Sequence, residues 1–308
     1  MMLQRQGKMR VRDASTRRRN IAGIDNHDAT TVGRSIGAIL IDTGLLTAEQ
    51  AEQILRFQKA DGLRFGDAAI KLGFATEDNI SFALAKQFDY PVVLPGQSKL
   101  ATELIAAYQP YSTQVEALRA LRSQLMLRWF SSEPERHALA VVSPGSGEGR
   151  SYLAANLAIV FSQLGERTLL IDADMRNPRQ HQLFGLDNRV GLSEVLSGRG
   201  DAEAIQRITE LMDLSIMPAG ATPPNPQELL SKQVFSNLLE ELVNEFDIVV
   251  IDTPPAAQFA DAHTVAVRAG AALMLAKTNT TRMRKMRQLM DVLNRASAHV
   301  VGMVLNES

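Results

Sequence analysis

The sequence predicts an α/β chain, a doubly wound, mostly parallel sheet preceded by a small helical domain. Three observations carry that expectation. Beyond residue 138, short apolar β-type runs alternate with amphipathic helical stretches, the pattern of a parallel sheet covered on both faces. Between Ser35 and Gln87 a 24-residue unit occurs twice, separated by KADGL. Between these regions, 94–115 lacks a clear period and carries two prolines, as a linker would.

Composition sets the outer limits. At 308 residues the chain has room for about two domains, and 45% hydrophobic against 22% charged residues suits a buried core. A formal net charge of −1 disfavours a uniformly basic nucleic-acid binder. With no cysteine there is no disulfide, thiol nucleophile or Cys-ligated metal, which fits a reducing compartment. No apolar run approaches the ~18 residues of a membrane span. The five histidines, His27, His137, His181, His263 and His299, are scattered without metal-ligand spacing.

The first element is a basic tail. Residues 1–19 hold seven basic residues and one acid, Asp13, for +6, which leaves −7 on the rest. Without an apolar core it is no secretory signal, and 1–33 reads as disordered. It is either a solvated tail or an electrostatic tether to acidic lipid or an acidic partner.

Residues 34–93 read as a helical repeat domain. Gly37 matches Gly66, Gly44 matches Gly73, Leu55 matches Leu84 and Gln58 matches Gln87. Each copy is a short apolar helix, a glycine turn at Gly44 or Gly73, and a second helix capped by Thr47 or Thr76. Gln50 stands three residues after Thr47, a capping box in form. Neither hairpin is large enough to fold alone, so the two are expected to bury their apolar faces on each other.

After the linker, the sheet domain spans 116–308. Its expected strands are Leu139–Val142, Thr168–Ile171, Leu214–Met217, Ile248–Ile251, Ala272–Ala276 and Val300–Leu305, with helices at 150–164, 232–245 and 281–296. Ligands of such sheets sit at the carboxyl ends of strands, where three motifs fall. In VVSPGSGEGRSYLAANLA, glycines Gly145, Gly147 and Gly149 let backbone N–H groups converge on an anion at a helix N-terminus. Against GxxxxGK[ST], Pro144 replaces the first glycine and Arg150 the lysine, while Ser151 keeps the Mg²⁺-coordinating hydroxyl. In LLIDADMRNP, Asp172 and Asp174 are two apart on an extended chain and could face one phosphate-bound Mg²⁺. In DIVVIDTPP, Asp252 reads as a Walker B carboxylate. Each alone is also an ordinary glycine turn, a capping aspartate or a strand-end aspartate. The three in this order point to a P-loop NTPase-like sheet binding ATP and Mg²⁺.

SPGSGEGRS, LLIDADMR and VVIDTPP resemble the Walker A, A′ and B motifs of bacterial tyrosine kinases, with further matches in EALRALRSQ and PAGATPPNPQELLS. The likeness spans about 114–306 and is nearest to the EpsG-type chain-length-determinant tyrosine kinases of exopolysaccharide systems. It implies an ATP-dependent protein-tyrosine kinase that autophosphorylates and regulates polysaccharide chain length. It also implies a membrane partner of the polysaccharide co-polymerase type, a homo-oligomer, and a cytoplasmic place at the inner membrane. In that likeness, Gly145, Ser146, Gly147, Glu148, Gly149, Arg150, Ser151 and Tyr152 hold nucleotide. Ser151, Asp172 and Asp252 hold metal, and Arg150, Asp172 and Asp174 serve catalysis. Glu116, Arg119 and Arg122 match the ExxRxxR helix of subunit contacts, on roughly one helix face. Their alternative is a solvated charged face above buried Leu118, Leu121 and Leu125. Family members usually end in a tyrosine cluster, whereas the tyrosines here are Tyr90, Tyr108, Tyr111 and Tyr152. Tyr108 and Tyr111, in the linker, are the most available acceptors or packing residues.

The repeat is similar to the MshE-type N-terminal domain of type II secretion and pilus ATPases, some of which bind cyclic di-GMP. That likeness makes Arg34, Gly37, Gly44, Gln58, Arg64, Gly66, Gly73 and Gln87 candidate cyclic di-GMP residues. The alternative is that they only build the helical pair. Two other functions stay open beside the kinase: a ParA/MinD-like ATPase switch, and a cyclic di-GMP receptor with a vestigial P-loop domain. The switch usually carries an extra lysine early in the loop, and Ser143–Gly147 has none.

Overall fold

The computed structural model describes residues 34–132 and 137–307; the basic tail expected at 1–33 lies outside the described residues. Four helices form the repeat: α1 (Ile36–Asp42), α2 (Ala48–Asp61), α3 (Phe65–Lys71) and α4 (Glu77–Gln87). Local chemistry dictates each copy in the same way. Gly44 and Gly73 turn the chain at φ +72° and +70°, a region side-chain-bearing residues avoid. The Thr47 and Thr76 hydroxyls accept the backbone N–H of Gln50 and Asn79 at 3.2 Å, and each of those side chains returns a bond to the cap N–H at 2.9 Å. Both copies therefore have a capping box, the second built with Asn. The copies interlock: α1 packs on α4 and α2 on α3. Ile39, Leu40, Ile54, Ala68 and Ala83 close a small core that neither copy could bury alone.

The segment expected as a linker is part of the larger core. Leu94, Leu100, Leu104 and Tyr108 are buried. It contains α5 (Ile105–Tyr108) and leads into α6 (Thr113–Leu125), which continues through a π-helical turn at Met126–Phe130. Individual polar bonds pin this stretch, so no apolar period advertises it. Asn156 accepts the Ala106 N–H at 2.9 Å and donates to the Glu103 carbonyl at 3.2 Å. The Tyr108 hydroxyl donates to the Leu100 carbonyl at 2.6 Å, so a residue expected as an available acceptor is a buried strut.

The sheet domain then runs β1 (Ala138–Val142), α7 (Arg150–Ser162), β2 (Thr168–Asp172), α8 (Gln180–Leu183), α9 (Leu192–Leu196), β3 (Gln206–Arg207), β4 (Leu214–Met217), α10 (Pro226–Ser231), α11 (Gln233–Glu245), β5 (Ile248–Asp252), α12 (Asp261–Ala269), β6 (Ala271–Lys277), α13 (Met283–Arg295) and β7 (His299–Asn306). Strand order is β3-β4-β2-β5-β1-β6-β7, parallel except for β3. All six expected strands and three expected helices are present. The two-residue β3 is too short to show a period, and α12 was not expected. β1, β2 and β5 are buried along their whole length, because one face carries α5–α7 and the other α9–α13. The register sets Asp172 directly beside Asp252 and Val141 on the other side of Asp252. The carboxyl ends of β2, β5 and β1 thus adjoin at one point of the sheet.

Candidate active site

The loop after β1 turns through Gly147 at φ +69° and Gly149 at +101°, and a Cβ on Gly149 would stand 2.7 Å from the Asn306 amide nitrogen. Both facts require glycine at position 149. Glu148, expected to touch nucleotide, is buried and staples the loop. Its carboxylate accepts the Gly145 N–H at 2.7 Å and the Thr281 hydroxyl at 2.5 Å, while its carbonyl accepts the Asn306 amide at 3.0 Å. A cleft of about 440 Å³ opens beside the loop, lined by Ser146, Gly147, Gly149, Arg150, Ser151 and Tyr152 on one wall. Asp174, Arg176 and Arg179 from the loop after β2 contribute the facing wall, with Phe259 beyond β5. Gly145 and Glu148 do not line it.

Arg150 is a buried tie. Its Nε donates to the Thr253 carbonyl at 2.8 Å, and Nη1 donates to the Gly145 carbonyl at 2.5 Å and to the Ser143 hydroxyl. The fork thereby joins the P-loop to the end of β5. Burial pulls its pKa down, opposed by Asp252, Asp174 and Glu148, so three carboxylates surround one cation. A guanidinium stays charged through such a shift.

The aspartates divide the work. Asp172 accepts the backbone N–H groups of Asp174, Arg179 and Gln180 at 2.9–3.1 Å and so shapes the loop after β2. Asp174 Oδ1 accepts the N–H groups of Arg176 and Asn177, and the residue borders the cleft. Asp252 is wholly buried; its Oδ2 accepts the Gln180 amide at 2.8 Å, and its Oδ1 is buried without a hydrogen-bond partner among the described residues. Burial pushes the Asp172 carboxyl well up, with Asp252 adding to it, and burial also pushes Asp252 up. Ser151, Gln180 and Arg150 draw Asp252 back toward its charged form.

Gln180 had no sequence signal. It is fully buried, its amide bridges Asp252 to the Ser151 carbonyl at 3.2 Å, and its own N–H is held by Asp172. One side chain thus joins all three motifs. Gln180→Leu should raise the Mg²⁺ concentration needed for half-maximal ATP binding several-fold, as one charge-assisted hydrogen bond implies; titrating a fluorescent ATP analogue at stepped Mg²⁺ checks it. The Arg176–Asp261 pair was also unsignalled. Arg176 pairs with buried Asp261 at 2.7 Å and lies 4.1 Å from the Phe259 ring centre.

Comparison with known proteins bears on this site. The family profile described as ParA, NUBPL iron-transfer P-loop NTPase, matches residues 135–308. Tyrosine-protein kinase YwqD of Bacillus subtilis is 32% identical over 209 residues, 68% of this chain and 87% of that protein. The chain belongs to the bacterial tyrosine-protein kinase family. Tyrosine-protein kinase Wzc of Salmonella typhimurium is 34% identical over 67% of this chain, which spans only 28% of that longer relative. The kinase domain of Escherichia coli ETK superposes with a TM-score of 0.65 at 31% identity, covering 71% of this chain and 85% of that one. The CapA2B2 chimerical protein gives 0.63 at 30%, covering 73% and 97%.

In this kinase-family chain two of the three expected subunit-contact residues, Arg119 and Arg122, bond to groups of the same chain, while Glu116 stays exposed. Arg119 donates to the Tyr90 hydroxyl at 2.8 Å, lies over its ring at 5.1 Å and pairs with Glu116 at 3.0 Å. Arg122 donates to the Val160 carbonyl at 2.7 Å. Tyr90 in turn donates to Gln163 at 2.6 Å, and the Gln163 amide donates to the carbonyls of Pro91 and Ala106. The exit of the repeat is therefore latched onto α6 and α7. Tyr90→Phe should lower stability by about 1–2 kcal/mol, the worth of two hydrogen bonds, and speed proteolytic cleavage between residues 88 and 112; thermal melts and timed proteolysis read both.

The repeat's candidate ligand residues do not converge. Gly37, Gln58 and Gln87 line a mostly apolar groove of about 540 Å³ with Phe65. Arg34 pairs with Asp42 at 2.5 Å, and Arg64 caps α3 outside the groove. Gly66 is a packing glycine, since a Cβ would stand 2.9 Å from Ile80; Gly44 and Gly73 are turn residues.

Proposed function

We propose that this chain is a Mg·ATP-dependent tyrosine kinase that controls the export or chain length of an exopolysaccharide, working as an oligomer with a membrane partner of the co-polymerase type. The observation that carries the phosphotransfer reading is the buried, unpartnered Oδ1 of Asp252 beside Ser151. A hard, desolvated carboxylate oxygen next to a hydroxyl at a P-loop suits Mg²⁺, which keeps several waters and needs few protein ligands. Bound Mg²⁺ would supply positive charge to offset the charge that develops on the phosphates.

The protein's own residues supply the rest. Ser151 and Asp252 hold the cation, with Gln180 orienting Asp252. Loop N–H groups at Ser146–Gly149 and the start of α7 receive phosphate oxygens. Arg150 holds the loop to β5 and places positive charge at its floor. Asp174, at the cleft wall, takes the phenolic proton on Oδ2 as its Oδ1 keeps the loop N–H bonds. The acceptor is Tyr111, which is 56% exposed, while Tyr108 is buried. Incubating the full chain with γ-labelled ATP and Mg²⁺ should place label on Tyr111, and Asp252→Asn should abolish it.

The match to the ParA profile keeps one second reading in view, a nucleotide-driven switch. ATP-dependent dimerisation and hydrolysis with no labelled tyrosine on the chain or its membrane partner would establish that reading instead. Cyclic di-GMP is a poor fit for the groove of the repeat, because among the described residues no arginine lines it to meet a dianion.

A further inference from the structure

We infer that α13 is a membrane-contact element that seats the domain on an anionic lipid surface. Its inner side is ordinary: Met286, Leu289 and Leu293 are buried against the sheet. Its outer side is not. Arg282, Arg284, Lys285 and Arg287 are all exposed at the helix start, and none has an ion-pair partner among the described residues. No acid stands in the first turn, and Asp291 is the single acid of the helix. Cations at a helix N-terminus oppose the helix dipole, so this arrangement costs free energy in the isolated chain. An apposed anionic surface relieves both the dipole conflict and the mutual repulsion.

Charge alone would suit any polyanion; the apolar residues among the cations favour lipid. Met283 and Met290 are 62% and 40% exposed, and Met283, Arg287 and Met290 share one stripe at i, i+4 and i+7. A cationic helix face with flexible apolar side chains between the charges matches the headgroup–acyl boundary. An acidic peptide or nucleic acid leaves those methionines in water. The helix is also coupled to the active site, because Thr281, just before it, donates to Glu148 in the P-loop. Membrane contact would thus bring the nucleotide cleft beside a membrane-borne substrate. This placement does not depend on phosphotransfer and can fail or hold separately from it.

The full chain is mixed with vesicles of phosphatidylcholine containing about one-third phosphatidylglycerol, an anionic surface, or phosphatidylcholine alone, and sedimented. Binding should need the anionic lipid. The triple variant Arg284→Gln, Lys285→Gln, Arg287→Gln should weaken it on the order of a hundredfold, from the usual contribution of each basic side chain at such a surface. The pair Met283→Ser, Met290→Ser should weaken it by roughly tenfold or more. Neither variant should melt below the parent, because the replaced side chains are exposed and the cations only oppose the helix dipole. Unchanged sedimentation of the triple variant overturns the proposal. So does loss confined to Arg17→Gln, Arg18→Gln, Arg19→Gln, which assigns binding to the tail. Unchanged binding by the methionine pair also overturns it, since contact would then rest on surface charge alone, without apolar side chains entering the headgroup–acyl boundary.

Discussion

Asp252→Asn should abolish Mg²⁺-dependent ATP binding and at the same time make the nucleotide-free chain more stable. The two effects have one cause. Asp252 is held wholly inside the protein with one oxygen lacking a partner among the described residues, an arrangement that a bound cation would satisfy. Asparagine keeps an acceptor for the Gln180 amide and removes the buried charge. The pH dependence follows with a definite sign. Burial raises the carboxyl's pKa in the folded chain, so its contribution to stability is present in acid, below the unfolded carboxylate value. That contribution is lost as pH rises through the raised folded value, and the ionised group is a liability at neutrality. The variant should therefore gain about 1 kcal/mol or more at neutral pH, roughly 2–4 °C in melting temperature. Its stability should also decline less as pH rises, with the residual slope coming from Asp172, whose pKa is raised in the same direction. Melts from about pH 5 to about pH 8, paired with nucleotide titration, read both parts. A lower melting temperature for the variant at neutral pH would show that the carboxylate is already satisfied without metal.

Replacing Arg150 should order the variants parent, lysine, methionine in stability. Methionine leaves the Ser143 hydroxyl and the Thr253 carbonyl without the guanidinium donor, leaves the Gly145 carbonyl with only the Ser143 hydroxyl, and leaves Asp252, Asp174 and Glu148 without their shared cation. Removing one partner of such an arrangement costs about 3–5 kcal/mol. Lysine keeps the charge, but a single ammonium cannot reach the Thr253 carbonyl and the P-loop carbonyl from opposite sides as Nε and Nη1 do. About 1–3 kcal/mol should go, the loss expected when buried acceptors give up a charged donor. Phosphotransfer to tyrosine should fall in the same order, since the loop that receives phosphate loses its tie to β5. Melting curves and γ-phosphate transfer measure the two series. A lysine variant as stable as the parent would show that the two-ended fork contributes nothing.

How far the chain could be read depended on how local each cause is. The six long strands were legible because continuous apolar runs are the direct imprint of burial on both sheet faces, as in Ile248–Asp252. The repeat was legible down to its caps, because Thr47 with Gln50 and Gly44 with Gly73 act within a few residues of themselves. The packed state of 94–115 was not, since single bonds to Asn156 and Gln163, 50 and 57 residues away, hold it. Glu148 counted as a ligand-facing residue from its place in the motif, yet Thr281 and Gly145 claim its carboxylate.

Pattern along the chain was thus enough for the sheet class, the glycine loop, the order of Asp172, Asp174 and Asp252, and the doubled helical hairpin. All of these arise from backbone preference and from the period of burial, which neighbouring residues encode by themselves. The assembled fold decided which carboxylates meet, because strand register places Asp172 against Asp252. It decided that Gln180 joins the three motifs and that Arg119 faces Tyr90 rather than solvent. These depend on side chains brought close from distant positions, and no local spacing records them.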